Sequence, residues 1–198
     1  PATLPLSLRN TYLGESTIEA WVKPTAFNVP DDRAGSVVFV GSNTDYMIHF
    51  LRLQRTTGNL QYLFGDINKA QYTTTGAAVP SDGEWHHIAA TRSVVQVSDT
   101  TYDVTVSLFL DGQFIKYNVF YGIPQPRSQT DFVMDIGTYG KPTGCKWGMI
   151  GNVDEVRISN IRRYLAPWEI ENPACFLHPA VSGNPMTAAL LHFDENTG

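Results

Sequence analysis

GNVDEVRIS, residues 151–159 of this 198-residue chain, is the stretch from which the fold can be predicted. Polar and apolar residues alternate along it, which is typical of a β-strand with one face in a core. On that pattern Asp154 shares a face with Val156 and Ile158, while Val153 and Glu155 point the other way. An unpaired buried carboxylate is too costly, so Asp154 needs hydrogen-bond donors, a cation or the rim of the core. It is the first candidate functional residue.

Similar short segments recur on both sides of this stretch, with turn residues between them. The clearest is a hairpin in which residues 104–110 and 113–119 flank Asp111 and Gly112. The other predicted strands are residues 17–23, 36–40, 46–53, 60–64, 71–75, 85–92, 132–136 and 189–193. Helical periodicity is nearly absent, apart from one short helical turn expected over 161–168. The sequence therefore predicts an all-β fold, a two-sheet antiparallel β-sandwich of the jelly-roll type.

Composition limits the class of protein. Hydrophobic residues make up 42% of the chain, which is enough for a core and excludes a disordered chain. A net charge of −5 without a basic run argues against a nucleic-acid surface or an anionic membrane surface. No apolar stretch approaches the roughly 20 residues that span a bilayer. Because the chain begins at Pro1 without a signal peptide, we expect a processed product or part of a longer protein.

The two cysteines, Cys145 and Cys175, are too few for a disulfide-built scaffold and are wrongly spaced for a zinc site. A disulfide between them would close a loop of about 30 residues and add about 3–4 kcal/mol of stability. Two buried free thiols are the alternative. We predict the bridge.

Five segments occur in an order that resembles a known family. They are STIEAWVKP (16–24), GEWHHIAATR (83–92), VSLFLDGQFI (106–115), DIGTYG (135–140) and GMIGNVDEVRISNIRRY (148–164). The set resembles the laminin-G-like, concanavalin A-like jelly rolls of bacterial and phage extracellular proteins. The resemblance implies a module at a cell surface or virion surface, with Trp21 and Trp85 in the core.

The end of the chain departs from the family's pattern. AALLHFDENTG, residues 188–198, is similar to a segment that usually opens a module, yet here it closes the chain. It either supplies the last strand of a single domain over residues 1–198 or starts a following repeat. We favour the closing strand, because jelly-roll termini lie close together and an unpaired apolar strand invites aggregation.

The resemblance also implies a structural calcium ion. In related sandwiches the residue matching Asp154 gives its carboxylate and backbone oxygen to the metal, and Gly41 and an N-terminal residue match the other ligands. Calcium prefers six to eight oxygen ligands, and binding only to the folded state would stabilise the sandwich. Alternatively, Asp154 simply accepts backbone N–H hydrogen bonds at its strand.

Catalysis is not predicted. A retaining glycoside hydrolase needs two carboxylates about 5–5.5 Å apart on one face. The acidic pairs of this chain are adjacent, at positions 31–32, 154–155 and 194–195, and adjacent strand residues point to opposite faces. His86 and His87 are adjacent in the same way and cannot share one metal without distortion.

Candidate ligand-binding residues lie in predicted loops. Tyr139 and Trp147 belong to the glycine-rich loop GTYGKPTGCKWG (137–148), and Asn43, Asp45 and Tyr46 lie at another loop. Aromatic faces combined with hydrogen-bonding groups are typical of carbohydrate sites, although packing at the core or rim would also explain them. We predict a non-catalytic module that binds carbohydrate or a cell-surface glycan. A structural or adhesive module that contacts other modules is the alternative, and a hydrolase is less favoured.

Overall fold

The structure, a computed structural model, describes residues 14–27, 35–42, 46–126, 133–137, 148–167 and 187–191. Eleven strands lie within these ranges. They are β1 (Ser16–Pro24), β2 (Gly35–Ser42), β3 (Tyr46–Leu53), β4 (Asn59–Gly65), β5 (Gln71–Ala78), β6 (His86–Gln96), β7 (Thr101–Leu110), β8 (Gln113–Pro124), β9 (Val133–Ile136), β10 (Gly151–Ser159) and β11 (Thr187–Leu191).

The strands form two antiparallel sheets, which confirms the predicted β-sandwich. The six-stranded sheet has the order β11-β10-β1-β6-β7-β8, and the five-stranded sheet has the order β5-β4-β3-β2-β9. Strand β11 pairs with β10 through Leu190 and Leu191, opposite Arg157 and Val156. No helix within the described ranges is long and apolar enough to span a membrane.

The core lies between the two sheets and is built by the period-two pattern of each strand. Ile18 and Val22 of β1 and Val106 of β7 are fully buried on the inner face of the six-stranded sheet. Leu51 and Phe64 belong to the same cluster from the five-stranded sheet. Each such side chain contributes about 1.5–3 kcal/mol through removal from water. The residues between these inward ones therefore lie on the outer faces of the sheets.

Polar groups are also enclosed between the sheets. The Arg92 guanidinium donates to the backbone carbonyl of Ile48 at 3.2 Å and lies over the ring of Phe64, 5.7 Å from its centroid. Nearby, Nδ1 of His49 is hydrogen-bonded to the Tyr62 hydroxyl. Burial, assisted by the charge of Arg92, lowers the pKa of His49 well below its ordinary value. His49 is therefore a neutral core residue.

The predicted turn between β7 and β8 is confirmed. Asp111 and Gly112 have φ angles of 50° and 76°, the left-handed values that a two-residue hairpin turn requires. The Asp111 carboxylate accepts the backbone N–H of His87 at 2.8 Å and lies 2.8 Å from Nδ1 of His86. The other ring nitrogen of His86 lies 3.2 Å from Asp82. A single imidazole thus joins two turns of the chain.

These contacts make the stability of the fold depend on pH. Burial alone would lower the pKa of His86, but the hydrogen bonds and charges of Asp111 and Asp82 outweigh it and raise the pKa above its ordinary value. The folded state therefore binds the proton more tightly than the unfolded chain. The resulting stability is complete below the unfolded pKa of about 6.5 and is lost as the pH rises through the folded pKa.

We expect the variant His86→Gln to lower the free energy of unfolding more at about pH 6 than at about pH 9. Residue 86 carries a proton that strengthens its contacts with Asp111 and Asp82 only in the wild type, and that proton is lost as the pH rises from about 6 to about 9. Urea denaturation of both proteins at the two pH values measures this difference. An equal destabilisation at both pH values would contradict the proposed ion pairs.

Strand β10 does not keep the alternation predicted for it. Val153 lies opposite Val22 and Asp154 opposite Trp21, but the register then shifts, so that Arg157 lies opposite Glu19. The shift is a β-bulge, in which one extra residue enters the strand. Glu155 occupies it with a φ angle of 49°. The prediction that Asp154 shares a face with Val156 and Ile158 is therefore wrong, because the bulge places it on the outer face.

Gly151, at the start of β10, lies too close to β1 for any side chain. An added Cβ would be 2.2 Å from the carbonyl oxygen of Lys23, and the φ angle of 142° itself favours glycine. The paired backbones of β1 and β10 can therefore approach here only because residue 151 has no side chain.

We expect Gly151→Ala to lower the free energy of unfolding by about 3 kcal/mol or more, because the clash is with backbone. Gly83→Ala is a matched control, since Gly83 has a φ angle of 86° but open space around its Cβ position. It should cost only the conformational strain, about 1–2 kcal/mol. Thermal or urea unfolding of both variants compares the two costs, and equal costs would contradict the role of the close approach.

After β10, residues 160–167 cross the outer face of the six-stranded sheet, and we call them the covering segment. The helical turn predicted over 161–168 does not form over residues 162–166, which have no regular secondary structure, whereas residue 167 is helical. Hydrogen bonds to β1 replace helical ones: the Thr17 hydroxyl donates to the Ile161 carbonyl at 2.7 Å and accepts the Arg163 N–H at 2.9 Å. Arg162 also donates to Glu15 at 2.9 Å. The segment is thus fixed along one strand.

Candidate functional site

A pocket of about 270 Å³ lies on the outer face of the six-stranded sheet, beside the covering segment. Strand β1 lies between β6 and β10, and it forms a facing pair of side chains with each of them. Trp21 of β1 lies opposite His87 of β6, and Glu19 of β1 lies opposite Arg157 of β10. The complete lining is Glu19, Trp21, His87, Glu155, Arg157 and Tyr164. Strand pairing and the covering segment therefore bring together residues separated by as many as 145 positions.

The Glu19 carboxylate is the centre of this site. Its side chain is only 5% exposed. The Tyr164 hydroxyl donates to Oε2 at 2.5 Å, and Nε2 of His87 lies 3.1 Å from the same oxygen. Arg157 and Arg163 lie 3.7 Å and 3.6 Å from the other oxygen, Oε1. One carboxylate thus contacts groups from β6, β10 and the covering segment.

These contacts fix the ionisation state of Glu19. Burial alone would raise its pKa, but the hydrogen bonds from His87 and Tyr164 and the charges of His87 and Arg157 lower it below the ordinary value of 4.5. Burial, together with the hydrogen bond and charge of Glu19, raises the pKa of Tyr164 to about 12. At neutral pH the carboxylate is therefore ionised and the phenol keeps its proton.

Trp21 forms the exposed wall of the pocket. It is 41% exposed, and its ring centroid lies 5.4 Å from that of His87. Tyr164 supports the same wall, with its ring 5.8 Å from His87 and 5.4 Å from Phe109. The expectation that Trp21 and Trp85 serve the core is wrong, since Trp85 is also 41% exposed. In β1 the inward positions belong to Ala20 and Val22, so Trp21 must face outward.

The bulge in β10 adds Glu155 to this pocket. Adjacent acidic residues were expected on opposite faces, and the bulge removes that restriction by placing Asp154 opposite Trp21 and Glu155 in the pocket lining. The Asp154 carboxylate accepts the backbone N–H of Glu155 at 2.7 Å. That bond is the alternative role considered for Asp154 from its sequence.

The residues predicted to bind metal lie in different sheets. Gly41 lies in β2 of the five-stranded sheet, opposite Met47, whereas Asp154 lies in β10 of the other sheet. Within the described ranges, no group of three or more His, Cys, Asp or Glu side chains could hold a metal ion. Calcium also binds backbone oxygens, which such a group does not include, so the structural calcium stays a prediction.

The other predicted site residues fall mostly outside the described ranges. Tyr139, Trp147, Asn43 and Asp45 lie outside them, as do Cys145 and Cys175. Tyr46 begins β3, but its side chain is not among those described. Their roles in ligand binding and in a disulfide stay predictions.

Comparison with known proteins assigns the family. A laminin G-type family model, described as the concanavalin A-like lectin/glucanases superfamily, matches residues 2–170. The chain belongs to this superfamily. The match covers β1 to β10 and the covering segment, whereas β11 lies beyond it. No protein with a curated description matches the sequence.

Several solved structures share the fold at low identity. One is the CBM40 of a Ruminococcus gnavus sialidase bound to α2,3-sialyllactose, with a TM-score of 0.52, 16% identity and coverage of 80% of this chain and 82% of that one. Mouse laminin α1 domains LG4-5 give a TM-score of 0.50 at 15% identity, covering 75% and 36%. The binding domain of botulinum neurotoxin serotype G gives 0.52 at 12% identity, covering 83% and 37%. This chain thus spans about a third of the laminin and neurotoxin structures.

We expect Glu19→Gln to lower the free energy of unfolding by about 3 kcal/mol, because it leaves the cationic groups around a buried position without their counter-ion. Glu84→Gln is the matched control: Glu84 is exposed, and its substitution should change stability by no more than about 0.5 kcal/mol. Urea denaturation near neutral pH measures both. A Glu19→Gln variant as stable as the wild type would show that the carboxylate is not needed.

Proposed function

We propose that this chain is a non-catalytic carbohydrate-recognition module and that the pocket around Trp21 and Glu19 binds the sugar. The observation that carries the proposal is an exposed tryptophan face beside fixed charged hydrogen-bonding groups. Such a surface can stack against the apolar face of a sugar ring and orient its hydroxyls. The similar fold of a sialidase CBM40 solved with sialyllactose supports the class of ligand.

The ionised state of Glu19 does not suit the role of a general acid. A general acid in glycoside hydrolysis needs a raised pKa so that it holds a proton near neutral pH. The pKa of Glu19 is instead lowered, and its side chain is nearly enclosed by His87, Tyr164 and Arg157. A carboxylate held ionised in this way is suited to accepting hydrogen bonds and to positioning its neighbours.

The proposed setting is a larger surface protein outside the cell or on a virion. Members of similar fold include laminin domains and the binding domain of a neurotoxin, which are parts of longer chains. The proposed partners are cell-surface glycans, together with other modules of the same or a partner protein.

A structural or adhesive module is the second candidate, and the edge strand β8 favours it. Tyr117 and Tyr121 of β8 are 43% and 75% exposed, and β8 ends the six-stranded sheet. Exposed tyrosines are frequent in protein interfaces. This candidate expects oligomers on size-exclusion chromatography with light scattering and no specific glycan binding.

We expect the wild-type protein to bind a restricted set of glycans on an array and Trp21→Ala to weaken that binding by about tenfold or more, equivalent to about 1.4 kcal/mol. Trp85→Ala is the matched control, because Trp85 has the same exposed fraction of 41% and does not line the pocket. It should bind like the wild type. Binding that survives Trp21→Ala would place the site elsewhere, and a silent array would contradict carbohydrate recognition.

A further inference from the structure

We infer that the pocket selects a neutral sugar unit and discriminates against acidic sugars. This inference rests on the proposed carbohydrate-binding function and adds the class of ligand. Its grounds are the charges of the pocket lining, two polar atoms without hydrogen-bond partners and the exposed face of Trp21.

The guanidinium groups at this pocket already face Glu19. Among the six described lining residues, Glu19 and Glu155 carry carboxylates, and Arg157 carries the single guanidinium. That guanidinium already faces Glu19 at 3.7 Å, and Arg163 faces the same oxygen at 3.6 Å. An acidic ligand would have to compete with Glu19 for Arg157 while lying beside Glu155. Like charges brought together in a partly desolvated site are repulsive.

Two buried polar atoms at the pocket determine which hydrogen-bonding groups the ligand needs. Among the described residues, neither Oε1 of Glu19 nor Nε of Arg157 has a hydrogen-bond partner. The separation of 3.7 Å between Nη1 of Arg157 and Oε1 of Glu19 is too long for a hydrogen bond. An ionised carboxylate needs a donor, and a guanidinium needs an acceptor.

A hydroxyl group meets both needs at once, because it donates one hydrogen bond and accepts others. A ligand carboxylate or sulfate in the place of this hydroxyl only accepts, so it could serve Arg157 but would leave Oε1 of Glu19 without a donor. The Arg157 side chain is 34% exposed, whereas that of Glu19 is 5% exposed. Entry of the hydroxyl therefore requires Arg157 to turn outward, while Glu19 stays in place.

Trp21 supplies the apolar surface on which the sugar ring stacks. Its exposed ring lies opposite His87 on the same face of the sheet as Glu19. A neutral sugar ring can place its C–H face on the tryptophan while its hydroxyls point toward Glu19 and Arg157. The sialidase module of similar fold was solved with a sialylated ligand, so the inference predicts a different specificity for this chain.

The test compares neutral oligosaccharides with their uronic-acid counterparts, which differ only in a carboxylate that replaces the C6 hydroxymethyl group. The probes are gluco-, galacto- and manno-oligosaccharides and the matching uronates, titrated by calorimetry into the full chain. We expect at least one neutral probe to bind about tenfold or more tightly than its uronate. Glu155→Gln should narrow this ratio, because it removes one of the two carboxylates.

The outcomes separate the inference from the proposed function. Uronates that bind as tightly as the neutral probes, with binding lost in Trp21→Ala and kept in Trp85→Ala, would overturn the inference and leave the proposed function standing. The inference would also be overturned if Glu155→Gln left the ratio unchanged. Absence of binding to every probe, or binding that Trp21→Ala does not weaken, would contradict the proposed site and the inference with it.

Discussion

The arrangement of the outer face of the six-stranded sheet depends on the ion pairs and hydrogen bonds of the buried Glu19 carboxylate. Transfer of an ion out of water costs several kcal/mol, and only close partners can compensate for it. Here the partners come from three other parts of the chain: His87 from β6, Arg157 from β10, and Tyr164 and Arg163 from the covering segment. The same contacts that offset the cost of burial therefore hold the covering segment on the sheet and shape the pocket beside it.

The β-bulge in β10 is the second constraint, and it acts through geometry. Without it, Glu155 would follow the alternation of the strand and face away from Glu19. The bulge keeps Val153 and Val156 in the inner layer, yet allows both residues between them to face outward. One extra residue thus adds a second carboxylate to the pocket beside Glu19.

The predictable part of the fold is the part that period-two patterns and turn residues specify. The strands, the Asp111-Gly112 turn and the sandwich follow from side-chain alternation and from the left-handed angles that such turns need. The bulge could not be predicted from the sequence. The extra residue, Glu155, is polar, so the alternation of polar and apolar residues looks the same as in a regular strand. Alternation with Ala20 and Val22 would have predicted that Trp21 faces outward, whereas the family resemblance implied that it lies in the core. The Glu19 network depends on residues more than 60 positions apart, which only strand pairing brings together.

The most direct test of this account is a ¹³C NMR titration of the glutamate side-chain carboxyl groups, with Glu19 assigned through the Glu19→Gln variant. We expect the Glu19 signal to titrate below the ordinary value of 4.5, because His87, Tyr164 and Arg157 stabilise the ionised form against burial. A signal that titrates above 4.5 would show that desolvation outweighs these partners. The carboxylate would then not be the ion that holds the outer face together.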